Sequence, residues 1–476
     1  MAERFSLSIS GVAAGKGAFA PVHSPYSGEV IGEVEQADAA ALAHALDLQA
    51  RLFADQDGWL PAHERIGVLH RAAAIMRERR DDLARGIALE GGKPWNDAVV
   101  EADRAVNGVE LCAEEAANLR ADPVPMGATP ASAGRRATTF REPIGVVAAV
   151  SAFNHPLNLI VHQVGPAVAM GCPVIVKPAS VTPLSCIAFV EILREAGLPP
   201  EWCIALPCDN DVAEQLVTSD RIAFFTFIGS ARVGWALRSK LAPGVRCALE
   251  HGGVAPAIVD ETAELDLAVP ALVKGGYYHA GQVCVSVQRV FAHGSIRDEL
   301  VDRLATAVGE LRTGDPLSPE TDVGPLIRAA EVDRVDEWVR EAIDAGATLV
   351  AGGARMDHQC YEPTLLLEAP DDTRVMTNEV FGPVVCVSGY DALDDAITRA
   401  NALPYGFQGA VFTRDLAHAN RVTSRLNATA VMVNDHTAFR VDWMPFGGRG
   451  ESGLGMGGIP YTAEDMTRLK MVVANP

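Results

Sequence analysis

From residue 144 the chain alternates short β-branched runs with helical stretches, and this alternation narrows its possible folds more than any other feature. IGVVAAVSAF and PVIVKPAS each end in a polar loop, with helical patterns over Asn158–Met170 and Leu184–Ala196 between and after them. WCIALP, a helical Val212–Thr218 and IAFFTFIG continue the series. Strand–helix–strand order predicts a parallel α/β sheet, which takes its ligands at the carboxyl ends of its strands. A second α/β half begins near residue 251 with AIVD, a helical Leu267–Tyr278, VSVQRVFAH and a helical Asp298–Leu311, and alternates up to VMVN. Ahead of both halves, residues 36–120 are helical by spacing, as in Ile66, Leu69, Ala73 and Met76. Residues 121–142 are rich in Pro, Gly and small residues and predict an arm, with RRATTFREP as an edge strand.

Composition sets the outer limits. A length of 476 residues suggests two or three domains, and 49% apolar with 21% charged residues is enough to build a core. Against 61 Asp and Glu stand 40 Lys and Arg, a net charge of −21, which argues against nucleic acid and against an anionic membrane surface as partners. The nine cysteines are odd in number and have no C-x-x-C spacing, so neither a disulfide framework nor a zinc ribbon is expected. A reducing, cytoplasmic location follows as an expectation, with most thiols as small core residues. The start MAERFSLSISGVAAGKG has no apolar signal core. The most apolar stretch, Leu157–Val176, contains His162, Gln163, Pro166 and Pro173 and makes a poor membrane span.

Three familiar patterns fail. Gly453-x-Gly455-x-x-Gly458 has no strand leading into it and Pro460 just beyond it, so it reads as a flexible loop rather than a dinucleotide fingerprint. Gly11-VAA-Gly15-Lys16-Gly17 is one residue short of a phosphate loop and has Gly where Ser or Thr would bind a metal. No H-E-x-x-H occurs, and no metal is expected.

The informative fragments are SAFNHPLN, VIVKPASVTP, FIGSARVG, ALEHGGVAP, HAGQVCVS, NEVFGPV and PFGG, in that order. Together they resemble the aldehyde dehydrogenase superfamily, over nearly the whole chain from about residue 25. The resemblance implies a Rossmann-like cofactor domain (residues 1–120 and 143–250), an α/β catalytic domain (251–445) and a small β oligomerisation arm and tail (121–142 and 446–476). It also implies a homodimer or homotetramer, NAD or NADP as cofactor, and an aldehyde as substrate.

The chemistry matches the residue types. Cys284 follows Gly-Gln-Val, a small flexible lead-in that would expose a nucleophilic thiol. The tetrahedral adduct needs unreactive donors, and the Asn154 amide with the Cys284 N–H would suit, although Asn154 also reads as an Asn-turn cap. Glu250 would activate the water that hydrolyses the thioester, which favours a free acid over transfer to coenzyme A. A coenzyme A-acylating semialdehyde dehydrogenase, and a silent binding protein on the same scaffold, remain as alternatives. The resemblance assigns Lys177 to the adenosine ribose and Gly229, Ser230 and Val233 to the pyrophosphate helix. It assigns Glu379 and Phe381 to the nicotinamide riboside, and to Phe153, usually Trp, backbone contacts beside the cofactor.

Several residues depart from the family pattern. Ser180 stands where NAD-dependent relatives carry Glu, and Arg232 is near enough in sequence to offer charge to a 2′-phosphate, so NADP is expected to be accepted or preferred. His155, His251 and His279 replace less polar or amide residues, and each reads either as a substrate-funnel residue or as a hydrogen-bonded core histidine. His436 and Arg440 precede PFGG at the expected substrate mouth, where Arg440 could pair with a carboxylate, phosphate or sulfonate. A polar or anionic aldehyde follows as the expected substrate. The family's additional Glu near the C-terminus is absent, with Ile459-Pro460-Tyr461 in that region.

Overall fold

The computed structural model describes residues 3–9, 12–13 and 18–475. The rejected phosphate-loop motif at Gly11 and Gly15–Gly17 therefore lies outside the described residues. Among the described residues, the helices that the site draws on include α1 (Ala39–Ala54), α2 (Ala62–Glu78), α3 (Arg80–Gly91), α4 (Trp95–Ala117), α5 (Asn158–Met170), α6 (Leu184–Glu195), α7 (Asn210–Thr218), α8 (Ala231–Arg238) and α9 (Leu265–Tyr277). The alternation does form a sheet, in the order Cys203–Ala205, Val174–Lys177, Val147–Val150, Phe224–Ile228, Arg246–Glu250 and Gly453–Leu454. The first five strands run parallel, and the last joins antiparallel. Strand order reverses between Val147–Val150 and Phe224–Ile228, the crevice where a doubly wound sheet takes a dinucleotide.

Both faces of this sheet are covered, which explains its near-continuous apolar strands. Val147, Ala149, Val174 and Val176 face the core under α2, α4, α5 and α6. Ala148, Ile175, Phe225 and Leu249 face α1 and α7. Helix α5 is buried along its whole length, so the apolar Leu157–Val176 stretch packs as a core helix and strand. No helix among the described residues is long and apolar enough to cross a membrane.

The second sheet runs Thr348–Ala351, Thr364–Leu367, Val384–Tyr390, Val287–His293, Ala255–Val259, Gln408–Phe412 and Ala430–Val433, parallel except for its first strand. A third, three-stranded antiparallel sheet joins Thr467–Ala474, Arg136–Pro143 and Asp122–Val124. RRATTFREP is thus a central strand and not the expected edge. Its second neighbour comes from the far end of the chain, a pairing that no local pattern can announce.

The glycine segment near the C-terminus also differs from expectation. Instead of a flexible loop, Gly453 pairs with Glu250, Phe446 bridges Gly457, and Ile459–Asp465 packs on α4 and α5. A Cβ at Gly457 would lie 2.0 Å from Glu250 Oε1. Glycine is needed here because the backbone runs against a carboxylate.

Candidate active site

The loop carrying Cys284 lies between α9 and the strand Val287–His293. Its lead-in turns through two left-handed residues, His279 (φ 48°) and Ala280 (φ 55°). Gln282 anchors it: its side chain donates to Pro325 O (3.2 Å) and accepts from Ile327 N (3.0 Å). The Gln282 carbonyl accepts from Asn154 Nδ2 (2.9 Å), tying the loop to the end of the first sheet. That bond uses one amide N–H of the buried Asn154 and leaves the other for a ligand.

The sequence reading expected an exposed thiol. Cys284 is instead half-buried, and burial pushes its thiol up to about 12. Arg440 pulls it down, while Glu379 and Glu250 push it further up. A resting thiol of this kind is protonated and must hand over its proton as it attacks.

Glu250 ends the strand Arg246–Glu250, and burial raises its carboxyl while Arg440 opposes the shift. Its side chain makes no hydrogen bond among the described residues, whereas its carbonyl accepts from Gly229 N (3.1 Å). Glu379 is pushed by burial up to about 8, with the Gly253 N–H and Arg334 opposing. Its Oε1 has no partner, and a Cβ at Gly252 would lie 1.6 Å from that atom. Phe381, at φ 46°, meets Phe153 edge-on at 5.7 Å between ring centroids.

At the crevice of the first sheet, Lys177 is buried at a strand end, with Nζ 3.4 Å from Ser180 Oγ. Burial lowers its amine. Gly229 and Ser230 lead into α8, and Ser230 makes no side-chain cap, so the Ala231 and Arg232 N–H groups stay open to an anion while Val233 N donates to Ser230 O (3.1 Å). Val233 and Arg232 are exposed on that first turn. The uncapped helix, the orphaned Glu379 oxygen and the buried Lys177 amine fit a dinucleotide.

His251 belongs to this side and not to the substrate funnel. Its Nδ1 lies 2.8 Å from Gly229 O, and its ring packs between Phe227 and Trp235. His155 and His279 do lie near each other, with centroids 6.3 Å apart, and His155 Nε2 is 3.3 Å from Tyr278 Oη. Both rings are buried, and burial lowers each well below the usual imidazole range. His436 lies against Gly275 of α9, and the charges acting on it are Asp435 and Lys274. The structure does not bring it to the thiol.

Arg440 is brought there. Its charge acts on both Cys284 and Glu250. Its Cζ lies 3.6 Å from the centre of the Phe446 ring, and its Nη2 is 3.3 Å from His162 Nδ1. It forms no ion pair among the described residues, and its buried Nε has no partner. Behind it, Asp442 receives Arg104 Nη2 (2.6 Å), Arg104 Nε (3.1 Å), Asn158 Nδ2 (3.2 Å) and His162 Nε2 (2.8 Å). Sequence reading missed Arg104, His162 and Asp442. His162 had registered only as a polar residue in an apolar stretch, and Arg104 lies in a helix far from its partner.

One feature reverses the carboxyl-end rule. Lys177 and Glu250 end strands of the first sheet, and Asn154 and Gly229 follow them. Cys284 and Glu379 instead precede strands of the second sheet, which offers its amino ends to the shared cleft. Among the described residues no cluster of His, Cys, Asp and Glu could hold a metal ion.

The family model described as Aldehyde dehydrogenase family matches residues 12–472, and the chain belongs to that family. It is an oxidoreductase that acts on aldehydes with NAD or NADP as acceptor. It is 40% identical over 415 residues to the 3-sulfolactaldehyde dehydrogenase of Priestia megaterium, covering 87% of this chain and 86% of that one. Its fold matches aldehyde dehydrogenase 21 from Physcomitrella patens in complex with the reaction product succinate. That match has a TM-score of 0.96 and 31% identity, over 100% of this chain and 99% of that one. The glyceraldehyde-3-phosphate dehydrogenase from Methanocaldococcus jannaschii complexed with NADP matches with a TM-score of 0.92 and 33% identity, over 97% and 100% of the two chains.

Proposed function

We propose that the protein oxidises a small anionic aldehyde to its carboxylic acid, with Arg440 receiving the anionic group. The observation that carries this reading is the Arg440 guanidinium, half-buried beside Cys284, whose Nε has no partner and which makes no ion pair within bonding distance although Glu250 and Asp442 act on it from further away. A half-buried guanidinium with a donor left unbonded can take a substrate carboxylate, sulfonate or phosphate with paired hydrogen bonds. Three of the relatives are named for anions, namely sulfolactaldehyde, succinate and glyceraldehyde 3-phosphate, while others are named for lactaldehyde and for the cationic betaine aldehyde.

In the proposed reaction the Cys284 sulfur adds to the aldehyde carbon as its thiol proton passes to water. The free N–H of Asn154 and the backbone N–H of Cys284 hold the oxyanion. The nicotinamide, when bound, supplies the hydride acceptor. Lys177, Ser180, Gly229, Ser230, Val233, Glu379, Phe381 and the Phe153 backbone would seat the dinucleotide. Glu250, raised by burial, takes a proton from water as that water attacks the thioester, which releases the acid instead of an acyl-coenzyme A. His155 and His279 would line the substrate side. Ser180 in place of a carboxylate supports use of NADP as well as NAD.

We further assign residues 1–120 and 143–250 to cofactor binding and 251–445 to catalysis. The arm, with Leu469, Met471 and Val473 exposed on its last strand, would make a homodimer or homotetramer, in the cytoplasm.

A test compares butanal with four-carbon aldehydes that carry a terminal carboxylate or sulfonate, using NAD and NADP. The anionic aldehydes are expected to have kcat/KM values at least tenfold higher, and Arg440→Leu to erase that preference. A preference for butanal would overturn the reading.

A further inference from the structure

Asp442 lies two residues beyond Arg440 and could have paired with it directly. It pairs with Arg104 instead, and among the described residues its hydrogen-bonded path to Arg440 runs through His162, while its charge acts on Arg440 from beyond bonding distance. The direction of each bond follows from donor chemistry. An ionised carboxylate only accepts, so His162 Nε2 donates to Asp442 Oδ1 (2.8 Å). Asp442 stays ionised, because His162 and Arg104 outweigh its burial and hold it well below the usual carboxylate range. A neutral imidazole has one N–H, so His162 Nδ1 carries the lone pair. A guanidinium only donates, so Arg440 Nη2 donates a hydrogen bond to that lone pair (3.3 Å). His162 stays neutral, since burial and then Arg440 lower it to about 4 against the pull of Asp442.

We propose that Asp442 and His162 are positioning residues for substrate selection. The carboxylate fixes the imidazole tautomer, and the imidazole holds Arg440 against Phe446 while leaving its charge free for the substrate anion. A carboxylate in place of His162 would hold the arginine equally well and cancel its charge. An apolar side chain would leave the charge but not the orientation. A neutral acceptor of fixed tautomer does both. The proposal rests on Arg440 being the anion receptor.

The test uses the full-length enzyme with saturating cofactor and two substrates of equal length, succinic semialdehyde and butanal. The readout is the ratio of their kcat/KM values, together with competitive inhibition by ethanesulfonate. Three replacements separate the two bonds of the imidazole. His162→Asn puts an amide oxygen near the place of Nδ1 and keeps an acceptor for Arg440. His162→Gln puts its amide near Nε2 and keeps only a donor to Asp442. His162→Phe keeps the shape and neither bond. The Phe and Gln variants are expected to lower the substrate ratio, and to weaken ethanesulfonate, by about tenfold. His162→Asn is expected to recover most of both.

Equal losses on both aldehydes in all three variants would mean that His162 only packs the core, and would overturn the proposal. So would an unchanged ratio in His162→Phe while Arg440→Leu abolishes the preference. If Arg440→Leu leaves the preference intact, the anion-receptor reading falls and this proposal falls with it. The Arg440 control thus tells the two failures apart.

Discussion

Residues 90–101 and the cleft around residues 250 and 379 each enclose two glutamates, and they treat them in opposite ways. Glu90 accepts from Leu184 N and Ser185 N (both 2.8 Å) and from the Ser185 hydroxyl, which caps the start of α6. Glu101 accepts from Leu157 N (3.0 Å) and Asn158 N (3.1 Å) at the start of α5 and pairs with the fully buried Lys93. Glu379 keeps an oxygen without a partner, and Glu250 has no side-chain hydrogen bond among the described residues. The nearby cations divide in the same way, Lys93 paired and Arg440 not. The contrast separates structure from function without reference to any relative. Enclosed charges that are fully bonded hold helices in place, and those left short of partners await a ligand, a water or a proton.

Three substitutions test this contrast. Glu250→Gln should lower steady-state turnover by about a thousandfold, since hydrolysis would lose the proposed base. A rapid-mixing experiment should still find close to one NAD(P)H per site before turnover slows. In the wild type, turnover should rise with pH through the raised Glu250 range, because the base works only when deprotonated. A loss of tenfold or less would break the contrast. Glu101→Gln should instead cost about 3 kcal/mol of stability, read from the denaturation midpoint, because Lys93 loses its counter-charge in the core. The kinetics of the folded fraction should stay close to those of the parent. If substrate KM moves more than the midpoint does, Glu101 belongs with the site.

Glu379→Gln should have the smallest effect. The folded protein holds this carboxyl at about 8 against an ordinary 4.5, so the stability it contributes is complete below about pH 4.5 and is lost as pH rises through about 8. The Gln variant should therefore show a flatter decline of Tm over that window, measured without cofactor. A slope equal to the parent's would show that this carboxyl is not what titrates.

Much of this was legible in the sequence. The periodicity from residue 144 marks the parallel sheet because β-branched runs and helical spacing alternate locally, and α5 falls on Asn158–Met170 as the pattern indicates. The fragments around Asn154, Lys177, Glu250 and Cys284 were singled out by the family resemblance, and the structure sets the first three at strand ends and Cys284 on a loop before a strand. What escaped depends on contacts far apart in the chain. Arg104 meets Asp442 across 338 positions, and RRATTFREP gains its second neighbour from residues 467–474. His251 illustrates a subtler loss. Its neighbour Glu250 made it look like a substrate residue, but adjacent residues at a strand end point to opposite sides.

That alternation makes residues 250–252 a shared joint. Glu250 would activate water, His251 props the turn before α8, and Gly252 leaves room for Glu379. One inserted or deleted residue here would disturb hydrolysis and both ends of the dinucleotide seat at once. In the 436–440 segment the buried Thr437 holds the Val285 carbonyl, while the exposed Phe439 and the half-buried Arg440 can change without touching the dinucleotide seat. An enzyme built this way can be retuned for a new aldehyde far more readily than for a new reaction.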